Sequence, residues 1–214
     1  METLYFIFLY ICLATSIIAL INKNSKPHFK AFVFLMLIKT LVEEGNNYGI
    51  FPDINKYNHW TFNIESILEF YFFSYYFYSI LKGNFGKTLI KIFIFAYPVI
   101  LLISFLTFQK YYIFHTNTYC LGELYLIILC LIYFRELYSD TEFKKLSTLP
   151  ELWIVTGLFL FSVGELPYMI LFNYLNKNHL ETSLFFRKYV LGILNIIMYT
   201  MFSTGLLWSI KVQK

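Results

Sequence analysis

Carboxylates occur inside apolar stretches of this sequence, at spacings that would bring them together in a folded chain. In the stretch IESILEFYFFSYYFY, Glu65 and Glu69 are four residues apart, so a helix would place both on one face. An ionised side chain at the centre of a bilayer costs about 2.5–3.5 kcal/mol, and such groups normally face a bundle interior or a wet cavity. Because burial and like charge both disfavour ionisation, these two acids are expected to form a protonatable pair.

Other charged and amide side chains lie in the remaining apolar segments. Lys39 and Glu43 are one helical turn apart, a spacing that predicts an ion pair with Lys39 as the counter-charge. The predicted ligand-binding residues are Asn63, Glu65, Glu69, Glu123, Glu165 and Asn195, and the predicted counter-charges are Lys39, Glu43 and Lys188. Two simpler interpretations stay open: Glu43 and Glu44 at the membrane surface, and Glu165 bonded to backbone freed by Pro167.

The elements that position these side chains are predicted to be membrane helices. The chain has 214 residues, of which 58% are hydrophobic and only 14% charged, and its mean hydropathy is +0.60. Soluble domains have about 25% charged residues, so the composition indicates an integral membrane protein. The net charge of +4 is then a topology signal rather than a sign of nucleic-acid binding.

Seven apolar segments are each close to the about 20 residues that cross a bilayer as a helix. They span about 3–21, 28–46, 60–81, 88–108, 117–137, 151–175 and 185–210. Backbone polar groups in lipid must pair within the segment, and the alternation of a membrane barrel is absent, so an all-α bundle is expected. The whole chain, 1–214, is predicted to be a single transmembrane domain.

Basic residues between the segments predict the orientation. Eleven lie on one side (Lys23, Lys26, Lys30, Lys82, Lys87, Lys91, Arg135, Lys144, Lys145, Lys211 and Lys214) and five on the other (Lys56, Lys110, Lys177, Arg187 and Lys188). Since cytoplasmic loops carry the excess of Lys and Arg, the N-terminus is expected outside and the C-terminus in the cytoplasm, in the inner membrane of the cell. All the intramembrane acids then fall in the outer halves of their helices, which predicts an outward-facing acidic pocket.

Metal and cofactor chemistry has little support in the sequence. Cys12, Cys120 and Cys130 lie in apolar runs without CxxC or Cys/His spacing. His59, His115 and His179 fall near the expected outer surface, but their separations match no metal motif. No metal and no cofactor are therefore expected.

Three stretches resemble small, uncharacterised bacterial seven-transmembrane-helix proteins. They are HWTFNIESILEFYFFSYYF, LPELWIVTGLFLFSVGELPYMILFNYL and LNIIMYTMFSTGLLW, which resemble the third, sixth and seventh helices of those proteins. Asn63, Glu69, Trp153, Gly157 and Asn195 match the pattern, whereas Glu65 and Glu165 depart from it. The resemblance implies a seven-helix integral membrane fold and says little about activity.

Several functions are compatible with such a bundle. The favoured one is a receptor-like or sensory membrane protein that binds a small ligand or cation in the acidic pocket and signals through a cytoplasmic partner. A proton- or cation-coupled transporter is the main alternative, because intramembrane acids mark ion pathways. A lipid-modifying enzyme and a structural subunit are further alternatives. The last segment has no histidine, in contrast to the seven-helix zinc hydrolases of the ceramidase kind.

Overall fold

The structure is a computed structural model, and it describes residues 2–51, 59–107, 114–139 and 146–211. The side chains of Glu2 and Ser147 are not described. Five of the basic residues used to predict the orientation, Lys56, Lys110, Lys144, Lys145 and Lys214, lie outside these ranges.

The described part of the chain is all-helical, without strands, and contains seven long helices. They are α1 (Glu2–Ile21), α2 (Phe32–Asn47), α3 (His59–Ile80), α4 (Asn84–Thr107), α5 (Thr116–Ser139), α6 (Pro150–Asn178) and α7 (Leu180–Lys211). The seven apolar segments predicted from the sequence therefore correspond one to one with the seven helices.

Two helices differ in detail from the predicted segments. Pro27–Lys30 forms a separate helical turn, and α2 begins only at Phe32. Proline favours the first turn of a helix, where its missing N–H has no partner to lose, so Pro27 starts this turn. Helix α7 contains a π-helical turn at Phe186–Val190 between the helical stretches Leu180–Phe185 and Leu191–Lys211.

Four helical stretches are long and apolar enough to cross a membrane: Thr3–Ile21, Asn84–Thr107, Pro150–Asn178 and Leu180–Lys211. The chain therefore has the helices of a multi-pass membrane protein. Helices α2, α3 and α5 are not in this group. The shortest of them, α2, has 16 residues, about 24 Å at 1.5 Å per residue, and contains Lys39, Glu43 and Glu44.

Six of the helices form a closed ring. Helix α1 packs against α2 and α7, α6 lies between α5 and α7, and α3 lies between α2 and α5. Helix α4 packs on the outside of this ring, against α3 and α5. Its outer face is apolar, with Phe95 78% exposed and Leu106 71% exposed.

The middle of the ring is filled by an aromatic layer that consists of Phe32, Phe73, Tyr76 and Phe202. All four side chains are 0% exposed. The Phe32 ring is 5.4 Å from Phe202 and 5.5 Å from Tyr76, and Phe73 is 6.1 Å from Phe202. These centroid distances and tilted orientations are typical of favourable aromatic pairs, so the four side chains pack together in the middle of the ring.

The aromatic layer separates two ends of the bundle, which we name by their acids. The Glu65 end contains Tyr5 of α1, Glu43 of α2 and Glu65 of α3. At the Glu151 end, Glu151 lies in the first turn of α6, and the Glu136 carboxylate of α5 accepts the backbone N–H of Gly83 at 3.0 Å.

Helices α6 and α7 approach each other closely through glycine. A Cβ atom at Gly205 would lie 2.7 Å from the backbone oxygen of Pro150, and one at Gly157 would lie 2.8 Å from the Cβ of Met201. Small residues allow this close approach between membrane helices, where packing rather than the hydrophobic effect drives association.

Candidate functional site

Lys39 of α2 lies between two carboxylates of α3. Its Nζ atom is 2.8 Å from Glu69 Oε2 and 3.1 Å from Glu65 Oε1. Lys39 is 8% exposed, Glu65 7% and Glu69 6%. As the sequence predicted, the four-residue spacing places both acids on one face of α3. This face packs against α2, and the ammonium group of Lys39 bridges the two carboxylates.

The ion pair predicted between Lys39 and Glu43 is not formed. Side chains on a helix lean toward its N-terminus, so the stem of Lys39 points away from Glu43, which lies one turn further on. Glu43 instead accepts a hydrogen bond of 2.8 Å from the hydroxyl of Tyr5 on α1. Glu44 accepts one from the hydroxyl of Tyr10, so both acids contact α1.

Glu123 of α5 and Glu165 of α6 form the other half of the site. They are 2% and 4% exposed, and so are buried as deeply as the acids of α3. The hydroxyl of Tyr119, one turn before Glu123, donates a hydrogen bond of 2.8 Å to Glu165 Oε2. Glu165 therefore bonds to α5 rather than to the backbone around Pro167.

The two halves are close enough to interact electrostatically. Glu123 and Glu165 both interact electrostatically with Glu69 and Lys39. We call Lys39, Glu65, Glu69, Glu123 and Glu165 the acid cluster. It is enclosed by protein in this conformation, since no member is more than 8% exposed. An opening of the cluster toward the outside stays a prediction.

Two tyrosines extend the acid cluster to the remaining helices of the ring. Tyr199 of α7 interacts electrostatically with Lys39, and its hydroxyl oxygen is 3.4 Å from that of Tyr5. Tyr5 in turn bonds to Glu43. Each of the six ring helices thus contributes a side chain to one polar network: α1, α2, α3, α5, α6 and α7.

The remaining predicted residues have other positions. The Oδ1 of Asn63 accepts the backbone N–H of His115 at 2.9 Å and so holds the start of α5 against α3. Asn195 donates to the backbone oxygen of Leu191 in its own helix, at 2.9 Å. Lys188 is exposed, in the π-helical turn of α7. Asn63 and Asn195 therefore make their described contacts outside the acid cluster.

Four hydroxyl-bearing residues of the site were not predicted from the sequence: Tyr5, Tyr119, Ser162 and Tyr199. Two of them follow from helical spacing, because Tyr119 lies four residues before Glu123 and Ser162 three residues before Glu165. The positions of Tyr5 and Tyr199 depend on the packing of α1 against α7, which no local pattern indicates.

The acid cluster holds more negative than positive charge if every acid is ionised. Four carboxylates face the single ammonium group of Lys39, and all five side chains are buried. Buried charges are tolerated only when they are compensated, and a carboxylate left without a partner inside protein costs several kcal/mol. The cluster must therefore take up further positive charge, as protons or as a bound cation.

A second group of polar side chains lies at the Glu151 end. Glu151 Oε1 is 2.9 Å from Lys26 Nζ and 3.8 Å from His28 Nε2. The ring of buried His28 packs edge-on against Tyr76, at 5.6 Å. His28 Nε2 and the Tyr76 hydroxyl are buried and form no hydrogen bond to any described residue. Buried polar groups also exist, therefore, on the far side of the aromatic layer.

Comparison with known proteins found no relative of the chain. No protein-family profile, no curated protein and no solved structure was found to match the chain.

Proposed function

We propose that this protein is a receptor-like membrane sensor whose acid cluster takes up a proton or small cation and whose helices then shift to signal to a cytoplasmic partner. The observation that carries the proposal is the excess of buried acid: four carboxylates around Lys39 in one network. Intramembrane acids of this kind mark ion or proton sites.

The placement of the acids supports a sensing role. Glu65 and Glu69 are on α3, Glu123 is on α5 and Glu165 is on α6, so added positive charge changes the repulsion between three different helices. A ligand shifts a conformational equilibrium by its differential affinity for the two states. Charge uptake here would favour the closed arrangement, and loss of that charge would favour helix separation.

The proposed topology has seven spans with the N-terminus outside. The excess of Lys and Arg in alternate loops supports this orientation. The acid cluster then faces the extracytoplasmic side, and the Glu151 end faces the cytoplasm, where a signalling protein would bind. The proposed location is the cytoplasmic membrane.

The test is the pH dependence of thermal unfolding in lipid nanodiscs. Because the excess carboxylates need protons to remain buried, we expect the Tm of the wild type to fall as the pH rises from about 5 to about 9. Glu123→Gln removes one excess charge and should make this pH dependence weaker. Glu181→Gln, at an exposed acid of α7, is the matched control and should behave as the wild type. Equal slopes for both variants would contradict the proposal.

A proton- or cation-coupled carrier is the second candidate. The buried polar group at the Glu151 end favours it, because His28 and Tyr76 supply polar atoms on the far side of the aromatic layer. Sustained, gradient-driven proton or cation flux in liposomes, abolished by Glu69→Gln, would establish a carrier. A sensor would bind the cation without such flux.

A further inference from the structure

Lys39 compensates only one half of the acid cluster. Its ammonium group touches Glu65 and Glu69 of α3, at 3.1 and 2.8 Å. In the other half, Glu165 Oε2 accepts the Tyr119 hydroxyl, which is a neutral partner. Salt bridges within 4.0 Å from Glu123 or Glu165 to a cation are absent among the described side chains. These two carboxylates therefore lie together without a cation in contact.

Two oxygen atoms in this second half are buried without a partner. Ser162 and Tyr119 lie beside the Glu123 carboxylate. The contact between Ser162 and Glu123 is looser than a regular hydrogen bond, because neither Glu123 Oε2 nor Ser162 Oγ has a hydrogen-bond partner of good geometry among the residues that the structure describes. Glu123 is 2% exposed and Ser162 is 0% exposed, so bulk water does not reach them. Buried polar atoms are nearly always satisfied, and such exceptions indicate an unseen water or ion.

The donor atoms in this half suit a hard cation. Carboxylate and hydroxyl oxygens are available from Glu123, Glu165, Ser162 and Tyr119, and oxygen ligands suit hard metal ions. These side chains carry six oxygen atoms, but the Tyr119 hydroxyl and Glu165 Oε2 are bonded to each other, so at most four remain for an ion. Calcium takes about six to eight oxygen ligands. Within the described ranges, no group of three or more His, Cys, Asp or Glu side chains is arranged to hold a metal ion. The set therefore favours a monovalent ion over a divalent one.

We propose that Glu123, Glu165 and Ser162 form a binding site for one alkali-metal cation, such as Na⁺. This inference rests on the proposed function, since it names the ligand of the acid cluster. Glu123 Oε2 and Ser162 Oγ are the direct ligands, Glu165 supplies the second carboxylate, and Tyr119 orients Glu165. Lys39 and the bound ion then compensate two of the four carboxylates, and protons neutralise the other two.

The proposal is tested by sodium binding to the full chain in nanodiscs. NaCl is titrated against N-methyl-D-glucamine chloride at constant ionic strength and constant pH, with Tm and bound radioactive Na⁺ as readouts. We expect a saturable rise in Tm and binding of one ion per chain. Glu123→Gln should abolish both, and Ser162→Ala should weaken binding about tenfold, which corresponds to about 1.4 kcal/mol.

Ser209→Ala is the matched control, because Ser209 is also fully buried but its hydroxyl bonds to Leu206 of its own helix. It should bind sodium as the wild type does. Should Glu123→Gln fail to fold, Glu165→Gln and Ser162→Ala give the same test, with loss of binding expected in the first variant.

The outcomes separate this inference from the proposed function. If Tm responds to pH through Glu123 but not to Na⁺, the site binds protons only, and the sodium inference is overturned while the sensor proposal stands. Stronger stabilisation by Ca²⁺ than by Na⁺ would also overturn it, in favour of a divalent site. If neither pH nor Na⁺ has an effect that depends on Glu123, both proposals are wrong.

Discussion

Lys39 is the residue on which the two buried acids of α3 depend. Its ammonium group compensates Glu65 and Glu69, and all three side chains are at most 8% exposed. A buried ion pair adds little stability compared with a well-packed apolar alternative, but removal of one partner leaves an uncompensated charge. The consequence of a substitution here therefore depends on whether the charges are removed singly or together.

We expect Lys39→Met to destabilise the protein by about 3–5 kcal/mol, the usual cost of leaving a buried charge without its partner. The measurement is the free energy of unfolding by denaturant in detergent micelles. The double variant Lys39→Met with Glu69→Gln should recover part of this loss, because one unpaired carboxylate is removed. A double variant less stable than Lys39→Met alone would show that the ion pair is not the cause.

At this scale the sequence predicted which residues are buried better than it predicted their partners. Glu65, Glu69, Glu123 and Glu165 are all buried, and their apolar surroundings indicated this. The prediction that Lys39 pairs with Glu43 was wrong. Spacing along α2 favoured Glu43, but the direction of the Lys39 side chain and the packing of α3 determine the contact. The hydrogen bond from Tyr119 to Glu165 joins two helices and has no local signal.

The helices themselves follow from the sequence more directly than their packing does. Apolar runs of about 20 residues predicted all seven, because backbone groups in lipid must pair within the segment. The π-helical turn at Phe186–Val190 was not predicted, since no local residue pattern requires it. The closed ring, with α4 outside it, depends on contacts between helices far apart in sequence.

The close contact of α6 with α7 gives a prediction at the scale of elements. Gly205→Ala should destabilise the protein and lower its Tm, because the added Cβ would lie 2.7 Å from the backbone oxygen of Pro150, which cannot move without the helix. The expected cost is about 1–3 kcal/mol, as in overpacked cores. Thermal unfolding in nanodiscs measures it.

Gly164→Ala is the control for this substitution. Its added Cβ would meet the side-chain end of Leu194, at 2.6 Å, and a flexible leucine end can rotate away. A smaller loss of Tm is therefore expected for Gly164→Ala than for Gly205→Ala. Equal losses would mean that the rigid backbone contact does not determine the helix spacing.

At the scale of the whole molecule, the six-helix ring has charged side chains at two ends, with the aromatic layer between them. The acid cluster together with Tyr5 and Tyr199 joins six helices at one end, and the contact of Glu151 with Lys26 ties α6 to the turn before α2 at the other. In the proposed sensor, signalling from one end to the other passes through the packed helices.

The orientation of this molecule is tested with reporter fusions at the C-terminus. With the C-terminus in the cytoplasm, a green fluorescent protein fusion should fluoresce and an alkaline phosphatase fusion should be inactive. The same fusions placed after Gly49, the glycine with a positive φ of 64° at the end of α2, should give the opposite result. An active phosphatase at the C-terminus would place the acid cluster on the cytoplasmic side.

The aromatic layer also has an electrical consequence. The rings of Phe32, Phe73 and Phe202 are fully buried, so a membrane voltage would fall largely across this dry layer. Moving one elementary charge through 100 mV corresponds to about 2.3 kcal/mol. The binding free energy of an ion that reached the acid cluster across this layer would therefore change in proportion to the voltage, whereas that of an ion arriving from the near side would be almost insensitive to it.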